Sequence, residues 1–436
     1  MSGCFMPATV VIGGQWGDEG KGRIVDLLAR DASVIARYSA GNNAGHTIIN
    51  HLGLFALHIV PAGIFYPDKT CIVGNGVAVD PQVLLEEIDT LEGRGVSTER
   101  LLISDRAHVV MPYHPIIDQL DEKLRGAAAV GTTGRGIGPC FADKVARLGI
   151  RMGDLADPRS FHERLSFVLP YKNSVLSRLY GAEPLSFEDV YSTYCEYARR
   201  LAPRVCDTSI VAREALSRGE NILLEGAQGA LLDLDAGTYD YVTSSVPSST
   251  AAGAAIGLGI GPADITKIVG VYKAYMTRVG NGPMPTELQD EDGQILRLQG
   301  PRPEIGTTTG RPRRTGWFDA VASRYSAQVN SVSAVALTRL DVLDPFPSIQ
   351  VCVSYKIDGA EVHSPPASIS AYERAEPQYE ELPGWREDST RARRFDDLPK
   401  NAQRYVQRIG ELIGRPIEIV SVGPEREQVI RMDRPV

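Results

Sequence analysis

The residues best suited to chemistry lie in one glycine-rich stretch near the amino terminus. Residues 13–23 read GGQWGDEGKGR, with five glycines, and a stretch of this kind predicts a tight loop with an exposed backbone. It follows a short apolar, β-branched run at 8–12 and precedes a helical pattern, the layout that presents N–H groups to phosphate. Lys21 adds a cation. The carboxylates of Asp18 and Glu19 would be out of place in a pure anion site, so they indicate a metal ion, a proton acceptor or both.

This loop differs from a Walker A motif. Five residues separate Gly14 from Gly20, where that motif has four, and Gly22 stands where it has a hydroxyl residue. On spacing alone, a glycine-rich turn that binds nothing stays open as an alternative.

Two further polar clusters follow in the first third of the chain. Residues 42–47 (NNAGHT) come after a β-branched run at 34–38, so they are predicted to lie at the end of a strand, where α/β sheets bind ligands. Residues 131–139 (GTTGRGIGP) combine two hydroxyls, an arginine and four glycines, which suits phosphate or another anion. For residues 42–47 the alternative is a surface turn. For residues 131–139 it is a solvated loop.

The second half of the chain adds an arginine-rich cluster and a strand that ends in an aspartate. Residues 307–316 (TTTGRPRRTG) hold three arginines, whose forked guanidinium groups recognise carboxylates and phosphates; an exposed loop is the alternative. Residues 338–341 (TRLD) follow the apolar run 332–337. A carboxylate at Asp341 can accept two hydrogen bonds from the edge of guanine, whereas adenine offers no such pair.

The elements that must position these clusters alternate between strand and helix patterns along the chain. This alternation predicts an α/β fold with a largely parallel central sheet flanked by helices. We expect a single domain over residues 1–436, with a mainly helical insertion at about 155–220 and a polar hairpin insertion at about 356–398. The carboxyl ends of the strands would bring the polar clusters together.

Composition narrows the class of protein. The chain has 436 residues, a net charge of −8 and a pI near 5.5, which argues against broad binding to nucleic acids or acidic membranes. We expect neither a membrane span nor a secretory signal, because apolar runs are short and no basic region precedes the first one. The six cysteines are scattered without a C-x-x-C pair and are typical of reduced cytoplasmic thiols.

Taken together and in this order, the motifs resemble those of the adenylosuccinate synthetase family over nearly the whole chain. The motifs that carry the resemblance are GQWGDEGKG at 14–22, NAGHT at 43–47, GTTGRGIGP at 131–139, EGAQG at 225–229, YVTSS at 241–245, TRVG at 277–280, TTGRPRRTGW at 308–317 and TRLD at 338–341. The resemblance implies a P-loop-NTPase-like fold and a cytoplasmic homodimer. It also implies a GTP-dependent ligase that joins IMP and L-aspartate through 6-phosphoryl-IMP, giving adenylosuccinate, GDP and phosphate, the first committed step from IMP to AMP. One Mg²⁺ per subunit is implied as cofactor.

The same resemblance implies roles for individual residues. Asp18 would remove the N1 proton of IMP, His46 would act as the acid, and Lys21 and Gln228 would complete the catalytic set; Asp18 and the Gly45 carbonyl would hold Mg²⁺. The implied GTP-binding residues are Gly17, Asp18, Glu19, Gly20, Lys21, Gly22, Arg23, Gly45, His46, Thr47, Arg313, Arg339, Leu340, Asp341, Ser421, Val422 and Gly423. The implied IMP-binding residues are Asp18, Asn43, Ala44, Gly45, His46, Thr133, Gln228, Thr243, Val279 and Arg311, with Arg147 from the other subunit. The implied aspartate-binding residues are Thr307, Thr308, Thr309, Gly310, Arg311 and Arg313.

Some positions depart from the family pattern, and two other functions stay open. Arg23 and Arg339 stand where lysine is commoner, and the turn at 246–250 is longer than usual. A related ligase that acts on dGMP is one alternative, although that branch replaces the base aspartate, which is present here as Asp18. A GTP-binding regulatory protein is the other, and it would not need His46.

Overall fold

A large, mostly parallel β-sheet forms the centre of the structure, a computed structural model that describes residues 8–50, 52–300, 303–305, 312–432 and 435–436. The strands are β1 (Ala8–Gly13), β2 (Val34–Ala40), β3 (His46–Asn50), β4 (Gly53–Leu57), β5 (Thr70–Val79), β6 (Leu101–Ser104), β7 (His108–Val109), β8 (Val205–Cys206), β9 (Ile222–Gly229), β10 (Ile265–Lys273), β11 (Met276–Arg278), β12 (Arg314–Gly316), β13 (Phe318–Asp319), β14 (Ala334–Thr338), β15 (Ser348–Ile357), β16 (Ala360–Val362), β17 (Glu376–Pro383), β18 (Ile417–Ser421) and β19 (Val429–Arg431).

Helices separate most of these strands along the chain. They are α1 (Lys21–Ala29), α2 (Pro81–Gly93), α3 (Tyr113–Arg125), α4 (Ile137–Ala146), α5 (Met152–Ala156), α6 (Pro158–Tyr180), α7 (Phe187–Leu201), α8 (Thr208–Ser217), α9 (Ala251–Leu258), α10 (Glu291–Leu298), α11 (Ala320–Val329), α12 (Ile369–Glu373) and α13 (Lys400–Ile413). None of the helices in the described ranges is both long and apolar enough to cross a membrane.

The strands of the central sheet run in the order β19-β18-β14-β10-β1-β9-β2-β5-β6-β8, and β7 pairs with β5. Each neighbouring pair is parallel except β18 and β19, which are antiparallel. The prediction of a largely parallel sheet flanked by helices is therefore confirmed.

Both faces of this sheet are buried, because consecutive residues of a strand enter different cores. In β1, Val10 and Ile12 belong to one apolar cluster and Val11 to the other. In β14, Val335 and Ala336 divide in the same way. Strands covered on both faces read as continuous apolar runs, which is why the sequence pattern found them.

Helix α9 lies unusually close to the sheet. A Cβ added at Gly257 would lie 2.2 Å from the carbonyl oxygen of Tyr38 in β2, and one added at Gly74 in β5 would lie 2.4 Å from the carbonyl of Gly257. Glycine at these two positions thus permits backbone contact between the helix and two adjacent strands. The sequence pattern did not predict a helix there.

The two predicted insertions contain regular structure. The region 155–220 is mainly helical and includes α6, α7 and α8. The antiparallel pair β15 and β17 spans the second region, but β15 begins at Ser348, ahead of the predicted start at 356. Its buried residues extend from Ile349 and Val351 to Tyr355, so only its last two residues belong to the predicted polar insertion.

We expect Gly257→Ala to destabilise the protein by about 1–3 kcal/mol, since the new methyl group overlaps a backbone oxygen that cannot move easily. Gly93→Ala is the matched control, because a Cβ at the end of α2 meets nothing within 4 Å. Thermal unfolding of both variants checks this. Equal unfolding temperatures for the two variants would contradict the close contact.

Candidate functional site

The loops that follow several parallel strands meet at one edge of the sheet around a cavity of about 1230 Å³. Most of the residues predicted from the sequence line it: Gly17, Asp18, Gly20, Lys21, Gly22, Arg23, Asn43, Ala44, Gly45, His46, Thr133, Gln228, Thr243, Val279, Arg313, Arg339, Ser421 and Gly423. The geometry thus assembles residues that are distant in sequence, as expected for the carboxyl ends of parallel strands.

The phosphate loop joins β1 to α1 through residues in left-handed backbone conformations. Gly17, Asp18 and Gly20 have φ angles of 93°, 58° and 85°, all in the left-handed region. For a residue with a side chain, such as Asp18, this conformation costs roughly 1–2 kcal/mol. Helix α1 begins directly after Gly20, so its N-terminus faces the same cavity.

Glu19 holds this loop from beneath. Its fully buried carboxylate accepts hydrogen bonds from the backbone of Gln15 (3.0 Å) and of Gly17 (2.8 Å), and from the Nζ of Lys21 at 2.7 Å. Burial opposes ionisation, but the ammonium of Lys21 and these hydrogen bonds outweigh it and lower the pKa of Glu19. The Glu19 side chain is therefore occupied inside the loop. The predicted contact of Glu19 with GTP would be made by its backbone.

The Asp18 carboxylate forms an ion pair with Arg313. Both Nε and one terminal nitrogen of Arg313 reach the same oxygen, Oδ2. The Asp18 side chain is 37% exposed, so Oδ1 remains accessible to a ligand. This arrangement places a carboxylate beside the phosphate loop, held in place by a guanidinium group.

His46 is backed by a second buried carboxylate. Its Nδ1 is hydrogen-bonded to Glu225 of β9, whose other oxygen accepts from the backbone N–H of Ala62 at 2.8 Å. Burial lowers the pKa of His46, and the Glu225 carboxylate opposes that shift by favouring the protonated ring. The buried Nε2 of His46 has no partner among the described residues, and the ring lines the cavity. His46 can thus take a proton at Nε2 when negative charge develops against it.

Amide side chains supply further unpaired groups at the same wall. Both side-chain polar atoms of Gln228 and the Oδ1 of Asn43 are buried and lack a hydrogen-bond partner within the described part of the chain. Because buried polar atoms are normally paired, these atoms indicate a polar ligand in the cavity.

The candidate guanine subsite lies beyond the end of β14. Asp341 is buried, and its Oδ1 has no partner among the residues that the structure describes. Burial raises the pKa of Asp341, and Arg339 opposes the shift. Thr338 donates from Oγ1 to the carbonyl of Glu19 at 2.6 Å, which ties this segment to the phosphate loop. Arg23 donates to Ser421 Oγ at 2.8 Å and brings the loop after β18 to the same place.

Two carboxylates of α3 hold the loop at 131–136. Asp118 accepts from Thr132 Oγ1 at 2.9 Å and from the backbone of Gly136 at 2.8 Å. Glu122 accepts from the backbone N–H groups of residues 130–132. Those N–H groups are therefore occupied, and the predicted role of this loop in anion binding depends on Thr133, which is exposed at the cavity.

The remaining predicted residues lie elsewhere. Arg147 is exposed at the end of α4, outside the cavity lining of this chain. Leu340 and Val422 are buried, so their predicted contacts with GTP would be made by their main chains. Thr47 lies in β3, opposite Ala56. Thr307, Thr308, Thr309, Gly310 and Arg311, predicted to bind aspartate, lie outside the described residues.

Sequence reasoning missed the supporting carboxylates. Glu225 stands in the quoted motif EGAQG, and its place at the end of an apolar strand was a usable signal. Asp118 and Glu122 are spaced by four residues, which places them on one face of α3, but nothing in that spacing names the loop they hold.

The phosphate loop, the parallel sheet and the cavity at its carboxyl edge define a nucleotide-binding α/β protein. A family model described as adenylosuccinate synthetase matches residues 10–430. The adenylosuccinate synthetase of Heliobacterium modesticaldum is 52% identical over 427 residues, which cover 98% of this chain and 99% of that protein. The structure of fully ligated adenylosuccinate synthetase from Plasmodium falciparum matches with a TM-score of 0.91 and 38% identity, covering 98% of this chain and 99% of that one.

The chain belongs to the adenylosuccinate synthetase family. The resemblance predicted from the motifs is therefore confirmed, and so is the prediction of a synthetase rather than a regulatory GTP-binding protein. Cyanophage S-2L succinoaminodeoxyadenylate synthetase, whose structure holds dGMP and dATP, matches with a TM-score of 0.61 at 22% identity, covering 98% of this chain and 95% of that one. That likeness reflects the shared fold alone.

We expect Glu225→Gln to slow turnover by roughly 10² and to move its pH optimum to lower pH, because an acid–base group commonly contributes 10²–10⁴. The sign follows from charge: without the carboxylate, protonated His46 is less stable, its pKa falls, and a lower pH is needed to protonate it. The pH dependence of kcat checks this. An unchanged optimum would show that Glu225 does not act through His46.

Proposed function

We propose that this protein condenses IMP with L-aspartate, driven by GTP, to give adenylosuccinate, GDP and phosphate. One observation carries the proposal: a single cavity joins the phosphate loop with Asp18, His46 and the unpaired side chains of Asn43 and Gln228. A protein that merely bound GTP would have no use for a buried acid and two open amides on the far side of the phosphate loop.

The first step transfers the γ-phosphoryl group of GTP to the 6-oxygen of IMP. A ring carbonyl oxygen is a poor leaving group, and phosphorylation converts it into a good one. The oxygen becomes nucleophilic as the proton on N1 is lost, and Asp18, next to the phosphate loop, accepts this proton through Oδ1. Its guanidinium partner, Arg313, fixes the carboxylate in place.

Two groups stabilise the charge that builds on the phosphoryl group. Lys21 lies at the start of α1 within the cavity lining, and its ammonium group spreads the negative charge of the phosphates. His46, backed by Glu225, donates from Nε2 once it is protonated. Gln228 and Asn43 hold the purine ring through hydrogen bonds, since both present unpaired polar atoms.

In the second step the amine of aspartate attacks C6. A C–N bond forms, the amine gives up a proton, and the C6–O bond breaks to release phosphate. Arg313 is suited to hold a carboxylate of aspartate, because its guanidinium group already binds one carboxylate in this structure. Thr307 to Arg311 complete the proposed aspartate site.

Mg²⁺ is the proposed cofactor, held by Asp18 and the Gly45 carbonyl. The donor set fits, because Mg²⁺ takes one or two protein oxygens together with phosphate oxygens and water. Asp18 and Gly45 both line the cavity beside the phosphate loop. When bound, the ion neutralises phosphate charge. Among the described residues there is no cluster of three or more His, Cys, Asp or Glu side chains, which agrees with a site that relies on substrate oxygens.

A homodimer in the cytoplasm is the proposed state. Large apolar side chains are exposed on α3, α4 and α6: Leu124, Val145, Phe167, Tyr171 and Leu179. Such an exposed group is typical of an interaction surface. Arg164 of α6 donates to the carbonyls of Arg147 and Gly149, which places Arg147 beside this surface.

The cysteines of the described residues are unpaired, as expected for a reducing compartment.

We expect Asp18→Asn to lower turnover by 10²–10⁴ or more while IMP and GTP still bind, since an amide cannot accept the N1 proton. The assay follows adenylosuccinate with IMP, GTP and aspartate, omitting each in turn, and calorimetry measures binding. Product from the wild type in a mixture that lacks one substrate would contradict the proposed reaction. Turnover by Asp18→Asn within a few-fold of wild type would remove Asp18 from it.

We expect Arg147→Leu to raise the KM for IMP far more than the KM for GTP, because Arg147 would contact the IMP phosphate of the partner subunit. Mixing this variant with inactive Asp18→Asn tests the contribution in trans. One of the two sites of the mixed dimer combines an intact Asp18 with an intact Arg147, so activity at low IMP should recover. If subunits exchange and activity stays low, Arg147 does not act across the interface.

A further inference from the structure

A buried carboxylate beside the candidate guanine subsite has no role in the reaction described so far. Oε1 of Glu304 accepts from Lys273 Nζ at 2.9 Å and from the hydroxyl of Tyr275 at 2.5 Å, and it lies 3.3 Å from a terminal nitrogen of Arg339. The side chain of Glu304 is 6% exposed. A charge buried this deeply is retained when it holds other groups in place.

The main chain fixes the position of Glu304 on both sides. Its N–H donates to the carbonyl of Arg297 at 2.8 Å, and its carbonyl accepts from the N–H of Arg313 at 2.9 Å. Burial opposes ionisation of the side chain, but Lys273 and Arg339 outweigh it and lower the pKa of Glu304 to about 2. Glu304 is therefore a fixed negative charge throughout the neutral pH range.

Arg339 interacts with the charges of two carboxylates. Glu304 pairs with its guanidinium group, and the hydroxyl of Tyr275 accepts from Nε of Arg339 at 3.3 Å. The other carboxylate is Asp341: burial raises its pKa, and the charge of Arg339 opposes that rise. Oδ1 of Asp341 nevertheless has no hydrogen-bond partner in the described part of the chain. The Arg339 side chain is thus held toward Glu304.

We propose that Glu304 is a positioning residue for guanine selection, which keeps the Arg339 guanidinium away from Asp341 so that Asp341 stays open to the N1–H and amino groups of guanine. The inference rests on the proposed function, in which Asp341 binds the base of GTP. If Glu304 lost its charge, Asp341 would become the carboxylate best placed to attract Arg339. A pair between them would occupy the oxygens that guanine needs, because opposite charges attract strongly at buried sites.

The test compares Glu304→Gln with wild type using GTP and ATP as phosphoryl donors. We expect the KM for GTP to rise by about tenfold and the preference for GTP over ATP to shrink, while the KM for IMP changes little; loss of one buried charged partner typically has at least this effect. Tyr275→Phe, which removes the hydroxyl shared by Glu304 and Arg339, should shift the KM for GTP in the same direction by less. If Glu304→Gln does not fold, Tyr275→Phe still tests the proposal.

Glu287→Gln is the matched control. Glu287 is a partly buried carboxylate that pairs with Arg314 on neighbouring β12, and we expect its substitution to leave the donor preference unchanged. In an Arg339→Met background, Glu304→Gln should have no further effect on the KM for GTP, since Glu304 acts through Arg339. Additive effects, or equal changes in the KM values for GTP and IMP, would mean a general structural role and would overturn the inference.

Failure of this inference and failure of the proposed function give different results. A wild type that prefers GTP, with Glu304→Gln keeping the full preference, would overturn the inference alone. A wild type that uses ATP as well as GTP would overturn the assignment of Asp341 to guanine, and the inference with it.

Discussion

The site depends on one interaction, the burial of the Glu19 carboxylate beneath the phosphate loop. A glycine-rich loop has few backbone contacts of its own to hold its shape. Glu19 supplies them from below by accepting from the backbone of Gln15 and Gly17 and from Lys21. Removing one partner of such a buried pair leaves an uncompensated charge, at a cost of about 3–5 kcal/mol. The loop is therefore rigid in the conformation that phosphate requires.

The same kind of supporting ion pair recurs around the cavity. Arg313 pairs with Asp18, Glu225 with His46, and Glu304 with Arg339. In each pair one group holds the other, while an atom beside the cavity or the guanine subsite stays open: Oδ1 of Asp18, Nε2 of His46 and Oδ1 of Asp341. The framework is thus organised before substrates arrive, which lowers the cost of orienting reacting groups during catalysis.

The sequence predicted the parts of the structure that local pattern determines. Apolar runs located β1 and β14. Local pattern failed at α9, because Gly253 and Gly257 weaken the helix propensity of this segment, and the helix packs closely on β2 and β5.

The site was predictable in its ligand-facing residues and not in its supports. Asp18 and His46 stand in motifs with recognisable chemistry. Glu304 does not, since its partners Lys273 and Arg339 come from other segments of the chain and meet it only in the folded structure. The occupation of the N–H groups at 130–132 by Glu122 was hidden for the same reason. A single sequence holds no local pattern that predicts contacts between distant segments.

The central claim is that IMP is phosphorylated before aspartate reacts. Positional isotope exchange tests it most directly: GTP carrying an oxygen label in the bridge between its β- and γ-phosphates is incubated with the protein and IMP, without aspartate. The account predicts that the label moves from the bridge to non-bridging positions of the β-phosphate, because reversible transfer to IMP frees the end of GDP to rotate. It predicts no movement when IMP is left out. A protein that forms adenylosuccinate at full rate yet leaves the label in the bridge would contradict the account.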